Sequence, residues 1–477
     1  MIRDTLLYLG VRALNGIMAL STLAIMTRVL SPSEYGQYAL GVSVVSSGGA
    51  VLLQWLSTAY SRFHSDQEGR ADSALVSTTL QIWRALALAL GVLASIAAAF
   101  GPHLGVSPTY VLAVGAGIVT MSLFTLQLQF ASARAEPLRY GRLTVIRGAS
   151  FIGLAAPICY LFPDATLAML AFALAAFLAC LLSGLPAWPR APINGGLARQ
   201  LFSYGTPQML TFFCIALLDT GDRFIIASWH GTAAVAAYAA GSDLGQQTLG
   251  VLLGVVYLSG FSRAVRAWEQ EEHSNVKQIL QTMATAQLMM AGAACAVVFG
   301  LAPSLASLVF GGNLAAQAAL IMPWIALATA LAAIRGYLLD IPFQLQKRPG
   351  IPLRIIAFMA LLNWSGNLYL VPNYGALGAA KVAAFVMLVG LLISYGLGRK
   401  AGLTPALGLD ALKVLVCTAV TTQMHEVVSP AQAPTLGFLS LTVQAIAGCL
   451  LFVLLALLLN VGQLRRQVFD RLQRRML

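Results

Sequence analysis

Long apolar runs succeed one another along the chain, separated by short polar breaks. Mostly apolar stretches fall at 5–30, 36–60, 74–100, 109–132, 143–162, 165–187, 202–229, 233–260, 278–302, 315–343, 351–371, 376–397, 408–428 and 435–460. A helix needs about 20 such residues to cross a bilayer. The pattern predicts an all-α polytopic membrane protein with about 14 transmembrane helices. The first run is too long for a signal peptide, contains Arg12 and Arg28, and lacks a small-residue cleavage site, so it is read as a retained span.

The breaks alternate in charge. With the N-terminus inside, the inner segments hold Arg3; Arg62 and Arg70; Arg134, Arg139 and Arg142; Arg190 and Arg199; Arg263, Arg266 and Lys277; Lys347, Arg348 and Arg354; Arg399 and Lys400; and, in the tail, Arg465, Arg466, Arg471, Arg474 and Arg475. The outer segments (SPSEYG, GPHLGVSP, FPDA, HGT, GGNL, PNYGA and the stretch after Glu426) hold no Lys or Arg. Cationic loops stay on the cytoplasmic side, so both termini are expected there. The basic tail is read as a flank set by the same rule, with contact to anionic membrane lipid as the alternative.

Composition agrees with the pattern. Apolar residues make up 58% of the 477 and charged ones 10%, against about 25% charged in a soluble domain; a soluble fold of this size could not cover its surface with so few charges. The net charge of +12 reports basic loops and does not call for nucleic acid. Cys159, Cys180, Cys214, Cys295, Cys417 and Cys449 lie in apolar runs without a CxxC and are read as small buried hydrophobes. No GxxxxGK[ST], HExxH or GxSxG occurs, so no nucleotide, metal or other cofactor is expected, nor catalysis. His64, His103, His230, His273 and His425 are scattered in or near loops.

The chain also repeats itself. SPSEYGQYALG (31–41) aligns with GTAAVAAYAAG (231–241), Ser61-Arg62 with Ser262-Arg263, and YLFPD (160–164) with YLVPN (369–373). Six spans separate the copies, so both enter from the same side as parallel repeats. The expected organisation is a six-helix lobe (1–189), a cytoplasmic linker (190–200), a second six-helix lobe (201–400), and helices 13–14 with the basic tail (401–477), the lobes facing a central cavity.

At this point the motifs resemble a known family. TRVLSPSEYGQYAL (27–40), DRFIIASWHGTAAVAAYAAG (222–241), LVFGG (308–312) and NWSGNLYLVPNYGALGAAKVAA (363–384) are similar, in that order, to the Wzx-like polysaccharide exporter branch of the multidrug/oligosaccharidyl-lipid/polysaccharide superfamily. The resemblance implies a flippase carrying undecaprenyl-diphosphate-linked oligosaccharide to the outer leaflet of the cytoplasmic membrane for O-antigen, capsule or exopolysaccharide assembly. It implies as partners a polyprenyl-diphosphate-linked glycan, membrane lipid, and the polymerase and glycosyltransferases of the same pathway. Within the motifs, Pro372 and Gly375 suit a chain reversal, and Gly378, Ala379 and Ala380 suit close helix packing.

Eight cations remain inside the spans: Arg12, Arg28, Arg84, Arg147, Arg223, Arg335, Lys381 and Lys413. A charge at the bilayer centre costs about 2.5–3.5 kcal/mol on insertion scales, so it faces a cavity or a partner. Arg84, Arg147 and Lys413 are close enough to inner helix ends to snorkel. Arg12, Arg28, Arg223, Arg335 and Lys381 are the candidates for substrate binding, because guanidinium groups bind phosphate bidentately; the competing reading is ion pairing with Asp219, Asp222, Asp243 or Asp340. Arg12 and Asn15 share a helix face, whereas Arg28 points about 160° away on an ideal helix. Asp222, ahead of Asp219, is the candidate for coupling to an ion gradient. The rival functions are a cation-coupled drug or metabolite exporter of the same superfamily, disfavoured by the excess of intramembrane cations, and a polysaccharide polymerase or ligase, disfavoured by outer loops that are short and free of Lys and Arg before span 13.

Overall fold

The computed structural model describes residues 2–64, 72–185, 193–348, 350–400, 402–428 and 437–463. Arg70, Arg190, the beginning of the linker and the tail arginines lie outside these residues, as does the side chain of Arg12. Among the described residues there is no strand. The helices are α1 (Ile2–Val29), α2 (Pro32–Gly49), α3 (Trp55–His64), α4 (Asp72–Phe100), α5 (Pro108–Ala133), α6 (Pro137–Leu161), α7 (Ala165–Leu182), α8 (Gly195–Gly245), α9 (Val251–Glu269), α10 (His273–Val309), α11 (Gly312–Ile334), α12 (Ile341–Leu345), α13 (Gly350–Lys400), α14 (Gly408–Val428) and α15 (Phe438–Leu458).

Among the described residues, ten helical stretches are long and apolar enough to cross a membrane: this is a multi-pass membrane protein. Two of the stretches hold two predicted spans each. Spans seven and eight meet at Gly231 (φ 76°, ψ 175°) inside the helical run from Gly195. Spans eleven and twelve meet at Gly375 (φ 53°, ψ −138°) inside α13. Both conformations are ones that L side chains rarely adopt, so single glycines do what the sequence reading assigned to loops. Pro372 belongs to the helix before the break. A second correction concerns the linker expected over 190–200, whose latter part is already helical from Gly195.

Among the described residues, three π-helical turns interrupt α-helical runs: Ala50–Gln54, Gln246–Gly250 and Arg335–Leu339. They join α2 to α3, α8 to α9, and α11 to α12, so spans two, eight and ten are each bent by an inserted residue. Side chains accept the task of meeting carbonyls at these turns. Trp55 Nε1 donates to the Leu52 carbonyl (2.8 Å) and Thr248 Oγ1 to the Leu244 carbonyl (2.6 Å).

The chain forms two compact units, Met1–Ala236 and Ala237–Leu477. In the first, the SPSEYG segment is a set of contacts. Ser31 accepts from the Glu34 amide (3.3 Å) at the start of α2, and Pro32 takes the first helical position, where its missing N–H costs nothing. Glu34 in turn accepts from the Ala165 amide (2.7 Å), joining Asp164 as a second anion at the N-terminus of α7, the end of the helix dipole that favours negative charge. Tyr38 stacks on Phe151 at 6.3 Å.

In the second unit, Gly241 lies against Ile321 and Met322 of α11, while its repeat mate Gly41 lies under Tyr110 of α5 in the first. Each glycine faces the same helix of its own copy, span four or span ten. The hairpin α14–α15 is antiparallel and clamped at one end, where Asp410 accepts from the Gly462 amide (3.0 Å) and Lys413 donates to the Asn460 carbonyl (3.2 Å). His425, in the last turn of α14, is buried between Gly300 of α10 and Gly448 of α15. Five cysteines are buried as expected; Cys449 is exposed on α15, because its helix turns that face outward.

Candidate functional site

In the first unit, α2 and α3 run antiparallel to the first part of α8. Ser33 meets Thr232 (2.9 Å), Arg223 donates to Ser43 (3.2 Å), Ser47 meets Thr220 (2.7 Å), and Thr58 donates to Gln208. Partner numbers fall from 232 to 208 as the others rise from 33 to 58, so this seam runs along the length of a span. Interhelical hydrogen bonds in membranes average only about 0.6 kcal/mol, so close packing has to carry the rest. Gly36 lets α2 approach the backbone at Thr232, and Gly205 makes room for the Trp55 ring, which also packs on Phe202 at 5.1 Å.

Arg223 of the Asp-Arg pair lies in this seam, with Asp222 beside it on α8. Asp222 and Arg223 are 2% and 5% exposed, the arginine bonded to a serine that itself bonds back to the Ala39 carbonyl (2.8 Å). Asp219, three residues earlier, is exposed, and so is Arg28 in the last turn of α1. Arg147 holds its guanidinium over the Phe124 ring, 5.2 Å from its centre, a cation–π contact within the bundle in place of the snorkelling expected from sequence. Arg84 is exposed.

In the second unit, Arg335 and Lys381 belong to different surroundings. Arg335 pairs with Asp340 (2.9 Å), both buried, and Ser394 of α13 donates to the other carboxylate oxygen (3.2 Å). Lys381 sits between Trp324 and Tyr374, 5.8 and 5.7 Å from the ring centres. Trp324 and Arg335 are 11 residues apart on one run, about 16 Å at 1.5 Å per residue. Ser43, Ser394 and Trp324 carry no sequence signal beyond being polar or aromatic residues in apolar runs, whereas Tyr374 lies in the PNYGA segment of the family motif. Among the described residues, no group of three His, Cys, Asp or Glu could hold a metal ion.

Comparison with known proteins agrees with this architecture. The family described as "Polysaccharide biosynthesis protein" matches residues 25–263, which is half of the chain and includes the seam from α2 to α8. No sequence among the curated proteins matches. Among solved structures, the chain is similar to the lipid II flippase MurJ in an inward closed conformation, at 12% identity and a TM-score of 0.78, covering 95% of this chain and 99% of that one. It is also similar to an inward-facing multidrug resistance MATE family transporter of the MOP superfamily (14% identity, TM-score 0.64, 83% and 99% covered). A third likeness is to a MOP superfamily transporter from Pyrococcus furiosus (14%, 0.60, 83% and 93%). At these identities the likeness is one of fold.

Proposed function

The chain belongs to the polysaccharide biosynthesis protein family, with the fold of the MOP superfamily, and from that membership we propose that it flips undecaprenyl-diphosphate-linked oligosaccharide across the cytoplasmic membrane. The product feeds assembly of O-antigen, capsule or exopolysaccharide, alongside the polymerase and glycosyltransferases of that pathway. Both termini are cytoplasmic. The lipid II flippase among the fold neighbours supports a lipid-linked substrate.

The observation that carries the reading, beside family membership, is the set of cations held inside apolar helices. A diphosphate bears at least two negative charges, and an arginine fork grips it while the polyprenyl tail stays in lipid. Arg12, Arg28, Arg223, Arg335 and Lys381 serve as substrate contacts during alternating access between the lobes 1–189 and 201–400. Arg335 is the weakest of the five, because its charge is already matched by Asp340. Coupling to an ion gradient runs through Asp222, with Asp219 next in line.

Complementation of a flippase-deficient strain tests this, with protein abundance measured for each variant. Alanine at Arg12, Arg28, Arg223 or Lys381 lowers polymer per molecule of protein, and Arg→Lys lowers it less, since lysine keeps the charge and loses the fork. Arg335→Ala lowers abundance first. Normal polymer from all five alanine variants would refute the cationic site and move the drug-exporter reading ahead.

A further inference from the structure

We propose that Asp340 is a proton-binding site whose occupancy sets the register of the π turn Arg335–Leu339. The Asp340 amide donates to the Arg335 carbonyl (3.0 Å), five residues back, as a π turn requires. On an α-helix, positions five apart point about 140° away from each other. The inserted residue narrows that angle and lets Arg335 Nη1 reach Asp340 Oδ2 at 2.9 Å. The ion pair and the π turn therefore need each other.

The surroundings are polar and incompletely matched. Gln287 of α10 brings its amide nitrogen to the Tyr337 carbonyl (3.5 Å), while its own Oε1 and the Nε of Arg335 are buried with no partner. Unmatched buried groups are costly, which brings a second arrangement of the turn closer in energy. Among the described residues of this unit, Asp340 is the only buried carboxylate. The charged or imidazole side chains on the helices packed against the turn are Arg263, Arg266 and Glu269 on α9, His273 and Lys277 on α10, and Arg354, Lys381, Arg399 and Lys400 on α13; Lys381 is half-buried between Trp324 and Tyr374, and the others are exposed, as are Lys347 and Arg348 just after α12. The other titratable groups are Tyr257, Tyr337 and Tyr395, the first two with rings stacked at 5.3 Å, the buried Cys295 of α10, and the exposed Tyr369 and Tyr374 of α13.

A proton taken up by the carboxylate cancels its attraction for Arg335, and no covalent bond other than the new O–H changes. With the pair released, nothing holds the extra residue, and the turn relaxes toward α register, rotating α12 relative to α11. This site is separate from Asp222 and does not depend on what the protein transports.

Hydrogen–deuterium exchange of the purified full chain in detergent, read on peptides covering 335–345 and corrected for intrinsic rates, tests the proposal. From about pH 9 to about pH 4 the wild-type segment should change its exchange at least about fivefold, the scale of a local opening, while a peptide from α5 stays constant. Asp340→Asn should hold the low-pH level throughout, and Asp340→Glu, which keeps a carboxyl group, should keep the pH dependence. Equal protection of the wild-type segment at both pH values overturns the proposal, as does an Asn variant with the wild-type profile. Should the Asn variant fail to fold, the wild-type and Glu profiles decide. The readout is the segment itself, so a failure of the flippase reading leaves it untouched.

Discussion

Gly36 lies directly against the backbone carbonyl of Thr232, so close that a Cβ would overlap it. The contact joins the start of span two to the residue after the Gly231 break, where Ser33 and Thr232 share a hydrogen bond (2.9 Å). The glycine is what permits the two helices to meet there. Gly36→Ala should destabilise the protein by about 1–3 kcal/mol, the range for overpacking, and Gly36→Val by more. Thermal unfolding in detergent measures this; an unchanged midpoint for the valine variant would mean that the helices do not approach so closely.

A second close fit gives a double-mutant test. The His425 ring lies against both Gly300 and Gly448. Gly448→Ala should cost about 1–3 kcal/mol by overpacking, and adding His425→Ala should remove most of that penalty, because the clashing ring is gone. Additive losses in the double variant would show that the imidazole does not fill the notch.

Asp222 is buried on α8, next to Arg223 of the α2–α8 seam. If it carries the coupling ion, Asp222→Asn should abolish the dependence of flipping on an ion gradient while protein abundance stays near normal. Flipping in vesicles with and without imposed gradients checks this. A variant with full gradient dependence removes Asp222 from the coupling role, and Asp219→Asn is then the next to measure.

The topology has a direct check. Reporter fusions after Gly312 and after Leu477 should report opposite compartments, the first outside and the second cytoplasmic. The asymmetry of loop cations motivates the expectation. Matching signals from the two fusions would contradict it.

Much of the fold was legible along the chain. Run length marks a span because a bilayer has a set thickness. The repeat could be read from Tyr38 and Tyr238 or Gly41 and Gly241, since equivalent helices need small residues at equivalent crossings. These are local properties that need no knowledge of the neighbours.

Tertiary structure alone decided the rest. Whether Arg223 bonds to Ser43, or Arg335 to Asp340, depends on which helix lies alongside and at what register. The three π turns add one residue to a helical run, a change that hydrophobic pattern does not record but that swings every later side chain around the axis. Gly231 and Gly375 read as loop residues, yet the helix resumes at once, because neighbouring helices hold both segments in place. The sequence by itself determined that the chain is a series of membrane-spanning helices and where the cations fall along them; packing determined where one helix passes into the next and what each cation meets, because that depends on which helices lie alongside and at what register.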